Sequence, residues 1–173
     1  MEHKHTISVL VSNKPGVLIR VAGLFSRRGY NIDSLAVGTT EDPDISRMTI
    51  VVSGDDNVLE QVEKQLYKLI DVIRVFDIPA EKQIDRELVL LKIAANKDTR
   101  PEIMQVVDVF RGRVVDVSEG ALTVELTGDG SKISGFENLV RKFGIQEMVR
   151  TGKIALERGA KAANPRARTK EET

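Results

Sequence analysis

The strongest constraint on this chain is a hydrophobic period that changes in the same order twice. From Thr6 to Ser12, Ile7, Val9 and Val11 alternate with Thr6, Ser8 and Leu10, which predicts a strand. From Pro15 to Arg28 the period becomes helical: Val17, Leu18, Val21, Leu24 and Phe25 share one face, and Gly29 follows as a cap glycine. Two strands come next, Tyr30 to Gly38 and Ile45 to Ser53, joined by the turn-forming run Thr40 to Asp44, with Met48, Ile50 and Val52 on a buried face. Gly54 to Asn57 reads as a helix start, Leu59, Val62, Leu66 and Leu69 as its stripe, and Asp71 to Ile78 as a fourth strand.

This order, β-α-β-β-α-β, is the split-βαβ plan in which two helices cover one face of a four-stranded antiparallel sheet. The polar run from Pro79 to Gln83 reads as a linker, after which the plan returns. Leu88 to Ala95 is a strand, Arg100-Pro101 opens a helix carrying Ile103, Val106, Val107 and Phe110, and Arg113 to Ser118 with Leu122 to Thr127 form a hairpin about Glu119-Gly120. Ser131 is the expected cap of a helix bearing Ile133, Phe136, Leu139, Val140 and Phe143, and Ile145 to Leu156 is the last extended segment. The expected fold class is therefore α+β, with two tandem ferredoxin-like βαββαβ domains at residues 4–79 and 85–158, a linker at 80–84 and a disordered tail at 159–173. Domains this small gain from self-association. Leu10 and Val51, out of phase with the core residues of their strands, are expected to be covered by another copy.

Composition removes most enzyme classes. The chain has no cysteine, and its two histidines, His3 and His5, precede the first predicted strand in what reads as a frayed terminus. Disulfides, thiolate chemistry, a Ser-His-Asp triad and a catalytic zinc site thus lack residues, and no catalytic or metal-binding set is assigned. The acidic pairs Asp42/Asp44 and Asp55/Asp56 fall in a turn and at a helix start, where exposure and capping explain them. Lys+Arg and Asp+Glu are equal at 26 each, so no global field attracts nucleic acid or an acidic membrane. An RNA-binding domain of the same topology stacks bases on sheet aromatics. Here Phe25, Phe110, Phe136 and Phe143 sit on predicted core faces of helices. Without a membrane span or a signal-peptide core, a cytoplasmic protein is expected.

The stretch "VSNKPGVL" joins the first strand to the first helix. Asn13 can cap the helix, Pro15 suits a first turn whose N–H is unpaired anyway, and Gly16 admits a close approach to the backbone. The free N–H groups and the helix dipole there suit one carboxylate. A plain turn and an anion cradle both fit.

"LVSNKPGVLIRVAGLFSRRGYNIDSLAVG" with "DISRMTIVV", and later "RELVLLKI", "FRGRVVDVS" and "RTGKIAL", resembles the regulatory (small) subunits of acetolactate synthase, also called acetohydroxyacid synthase. The first half resembles their ACT domain. The resemblance implies a non-catalytic subunit that associates with a large catalytic subunit carrying thiamine diphosphate, Mg and FAD. It also implies activation of that subunit and feedback inhibition by a branched-chain amino acid, valine above all. ACT domains of this kind pair as homodimers with effectors at their interface. Asn13, Gly16, Val17 and Leu18 match the ligand loop, and Asn31 and Ile32 match the strand supplied by the facing protomer. The backbone N–H groups from Gly16 to Leu18 would then hold the effector carboxylate, and the Asn13 and Asn31 carbonyl oxygens its ammonium. One methylene changes affinity in such a pocket by about 1–3 kcal/mol, which leaves valine, leucine and isoleucine open. Readings as a free-standing amino-acid sensor with another partner, or as a small acylphosphatase-like enzyme, share the topology.

Overall fold

The computed structural model describes residues 3–159. These divide into two compact units, one made of residues 3–84 and 153–159 and the other of residues 85–152.

In the first unit, strands β1 (His3–Ser12), β2 (Ile32–Thr39), β3 (Ile45–Gly54) and β4 (Val72–Asp77) form a sheet of order β2-β3-β1-β4. Helices α1 (Val17–Arg27) and α2 (Asp56–Leu66) follow β1 and β3. The alternation in β1 and the helical stripe in α1 meet as intended: Ile7, Val9, Val11, Met48, Ile50 and Val52 pack with Val17, Val21, Leu24, Phe25, Val62 and Leu66 in one core. Asp55 caps α2 by accepting from the Val58 amide at 2.9 Å. Gly29, at φ 70, turns the chain out of α1 in the left-handed conformation that glycine adopts without a Cβ penalty.

The second unit repeats the order. Strands β5 (Gln83–Ala94), β6 (Arg113–Val117), β7 (Ala121–Gly128) and β8 (Ile145–Arg150) are arranged β6-β7-β5-β8, with α3 (Arg100–Val109) and α4 (Gly130–Val140) as its helices. Val89, Leu91, Ile93, Ile103, Val107, Leu122, Val124, Leu126 and Phe136 lie in its core, and the rings of Phe110 and Phe136 meet edge-on at 5.5 Å.

Several expectations from the sequence change. The stretch expected as a linker at 80–84 is a tight turn, Ala80–Lys82, running straight into β5. The expected last strand is two: after β8 the chain breaks and resumes as β9 (Ile154–Glu157). Residues from Lys153 onward, expected in the second domain, group with the first unit, because the Lys153 amide donates to Ser34 Oγ at 2.8 Å and the Arg158 amide to Lys82 O at 2.6 Å. The cap of α4 is Asp129, not Ser131: its carboxylate accepts from the Lys132 amide at 2.9 Å, and Ser131 Oγ only donates to it. His3 and His5 are inside β1, in register with Gly54 and Val52, so that terminus is paired rather than frayed. Leu10 and Val51 are 1% and 4% exposed within the single chain, so they present no face for a second copy. The tail expected beyond Gly159 lies outside the described residues.

Candidate functional site

The turn from β1 to α1 is tied down on both sides. The Ser12 amide donates to Asp71 O at 2.9 Å and the Asn13 amide to Asp44 O at 2.7 Å, while Asn13 Nδ2 donates to Pro43 O at 2.9 Å. Asn13 therefore does not cap the helix. That place falls to Gly16, which stands at φ 83, ψ −7 with no side-chain cap, and the helix starts at Val17, beyond Pro15. The left-handed conformation at Gly16 ends the four-residue turn that follows β1 and starts the helix at the next residue. Asn13, four residues before Val17, is too far back to reach the first-turn amides.

The opening of α1 is left electropositive. Its first turn holds no acidic residue. The Val17 amide reaches only Lys14 O, at 3.4 Å, and the amides of Leu18 and Ile19 meet no acceptor among the described residues. Val17 is buried in the core, whereas Leu18 and Ile19 are 43% and 77% exposed. Leu18 thus leaves the core stripe that its spacing suggested and faces outward beside the free amides.

Asn31 and Ile32 lie elsewhere. Ile32 pairs with Val52 at one end of β3, while Ser12 pairs with Ile45 at the other, so the two halves of the expected site stand roughly 20 Å apart along a strand. One chain does not bring them together. Asn31 Nδ2 donates to Asp33 Oδ1 at 3.0 Å, and Asp33 Oδ2 accepts from Ser53 Oγ at 2.7 Å. That hydroxyl, with Asn31 and Lys4 adding to it, holds the Asp33 carboxyl below the usual carboxylate range against the opposing effect of burial. Both asparagines spend their NH2 groups inside the chain and leave a carbonyl oxygen unused by any described donor. β2 is also an edge strand with Val37, Gly38 and Thr39 exposed, open to pairing with another chain.

Sequence reasoning missed Arg20 and Asp71. The Arg20 guanidinium donates to the Asp71 carboxylate, and its Nη1 lies beside Gly16. The signal was present: Arg20 follows Gly16 by one helical turn, and helical side chains lean toward the N-terminus. Among the described residues no group of three or more His, Cys, Asp or Glu side chains is placed to hold a metal ion. Nor is any described helix long and apolar enough to cross a membrane.

Two family models match the chain, "AHAS small subunit-like ACT domain" over residues 7–74 and "Small subunit of acetolactate synthase" over residues 86–159. The chain is 58% identical over 158 residues to a probable acetolactate synthase small subunit of Archaeoglobus fulgidus, covering 91% of this chain and 99% of that one. It is 54% identical over 155 residues to the acetolactate synthase small subunit of Mycobacterium leprae, covering 90% and 92%. The crystal structure of the acetolactate synthase small subunit from Thermotoga maritima superposes with a TM-score of 0.84 at 44% identity, covering 91% of this chain and 99% of that one.

Proposed function

The chain belongs to the family of acetolactate synthase small subunits, and from that premise we propose that it activates the catalytic subunit and makes it sensitive to a branched-chain amino acid, most specifically valine. A small subunit with an ACT domain has a regulatory role, and its partner is the catalytic subunit. In this reading the chain performs no chemistry. Thiamine diphosphate, Mg and FAD belong to the partner, which condenses pyruvate with pyruvate or 2-ketobutyrate.

The observation that carries the reading is the opening of α1: a left-handed Gly16, no acidic residue in the first turn, and amides at Leu18 and Ile19 without an acceptor among the described residues. A carboxylate is the ligand such a helix end favours. Leu18, exposed beside the free amides, gives the effector's branched side chain an apolar wall, and the unused Asn13 oxygen accepts from its ammonium. Because Asn31 and Ile32 lie at the far end of β3, a second protomer must supply them, and the open edge of β2 supports side-by-side pairing of two ACT domains. An effector held between two chains then favours one quaternary arrangement over another, with a coupling of about 1–3 kcal/mol.

Holoenzyme reconstituted with Gly16→Asp tests this. The new carboxylate occupies the place of the effector's own, so activation persists and valine inhibition is lost. An unchanged valine response would falsify the site.

A further inference from the structure

Arg20 brings a full positive charge to the helix end that already carries a partial one. Its side chain runs back over the first turn of α1, so that Nη1 lies 3.2 Å from the point a Gly16 β-carbon would take. Adding one bond length puts that donor within about 5 Å of the Gly16 Cα. Only a glycine lets the guanidinium settle so close to the backbone there. Nη2 donates to the Asp71 carboxylate, whereas Nη1 and Nε meet no acceptor among the described residues. Asp71 is itself fixed: its side chain is 11% exposed, and its carbonyl oxygen accepts from the Ser12 amide at 2.9 Å, at the foot of the same turn.

The helix dipole disfavours a cation at this end, by about 0.3–1 kcal/mol where it is exposed. Asp71 offsets that cost, yet it engages one edge of the guanidinium and leaves the other beside Gly16. A tie between α1 and the start of β4 needs only the edge that Asp71 holds. The Leu18 and Ile19 amides, two and three residues beyond Gly16, also meet no acceptor among the described residues. A carboxylate has two oxygens, each able to accept from more than one donor at about 2.9 Å, which is enough to bridge groups on either side of Gly16. One oxygen then takes the first-turn amides and the other takes Nη1 in a charge-assisted bond.

We propose that Arg20 is a direct ligand of the effector's carboxylate and that Asp71 is the positioning residue that holds it there. The assignment rests on the effector site read above at the opening of α1, and it makes the site selective for a free, ionised carboxylate.

Calorimetry of the full chain with valine, leucine and isoleucine as probes tests it. Saturable binding of at least one is expected in the parent and is lost in Gly16→Asp. Arg20→Met weakens it by about tenfold or more, and Asp71→Asn, which keeps the cation, by a smaller factor. Arg20→Lys recovers part of the loss, because an ammonium keeps the charge without the fork. Should Arg20→Met fail to fold with the Asp71 carboxylate left unpaired, the double variant Arg20→Met/Asp71→Asn carries neither charge and is compared with Asp71→Asn alone. Unchanged affinity on losing the arginine, or equal losses in Arg20→Met and Asp71→Asn, would make the ion pair structural and overturn the proposal, while loss of binding in Gly16→Asp keeps the effector site itself. No binding of any probe by the parent, or full affinity in Gly16→Asp, defeats the effector site and the role of Arg20 with it.

Discussion

A β-carbon built on Gly16 would stand 3.2 Å from Nη1 of Arg20, one turn along α1. The guanidinium is held there by Asp71, at the helix end whose dipole repels a cation. The positive charge is thus concentrated where the turn amides meet no described acceptor, with the Asp71 carboxylate opposing it.

Gly16→Ala should destabilise the first unit. At φ 83 an L-residue pays about 1–2 kcal/mol for its β-carbon, and Arg20 must also shift. Urea denaturation gives the measurement. A midpoint equal to that of the parent would show that the turn relaxes into an ordinary conformation.

Asp71→Asn should remove the counter-charge of Arg20. The Arg20 side chain is 48% exposed, so solvent screening keeps the loss near about 1 kcal/mol, and the loss should shrink as salt is added. Denaturation at low and high ionic strength checks both statements. A loss that does not change with salt would mean packing rather than charge.

Asp77→Asn should stabilise the protein at neutral pH. Burial pushes the Asp77 carboxyl up, with His5 opposing, and burial together with the charge of Asp77 pushes Glu63 up as well. With folded values above the unfolded ones, the folded state binds more protons in the interval between them. Stability therefore falls as pH rises through that interval and stays reduced above it. The variant's advantage should be full above the raised folded values and vanish as pH falls to the ordinary carboxylate range. Thermal melts from pH about 4 to about 8 decide it, and a constant offset between variant and parent would contradict the assignment.

Asp129→Ala should cost about 1 kcal/mol by uncapping α4, and Ser131→Ala clearly less. The Ser131 hydroxyl and then the Lys132 amide hold the Asp129 carboxyl below its ordinary value. Its contribution is therefore present above the unfolded pKa and lost as pH falls through the folded one. Chemical denaturation at neutral and acid pH separates the two variants. Equal losses would return the cap to Ser131.

The strands and helices were legible because their burial is local and periodic. Ile7, Val9 and Val11 announce the inner face of β1 without reference to anything else, and the stripe from Val17 to Phe25 announces α1. Caps were less legible. Asn13 and Ser131 both have capping chemistry, but Gly16 and Asp129 hold the cap positions, because a cap depends on where the backbone leaves the extended region. The candidate site was half legible: the loop could be read from "NKPG", whereas Arg20 and Asp71, 51 residues apart, become neighbours only when α1 and the start of β4 pack.

The order of hydrophobic periods in the chain was enough to determine the two βαββαβ units and the residues of their cores. The tertiary structure alone decided that Lys153 to Glu157 return to the first unit, that Leu10 and Ser8 are buried on the face away from the helices, and that Arg47 and Arg74 meet over Phe76. The physical reason is range. A side chain's period is set by its neighbours in sequence, but strand register and the partner of a charge are set by pairings between distant segments, on which a local pattern carries no information.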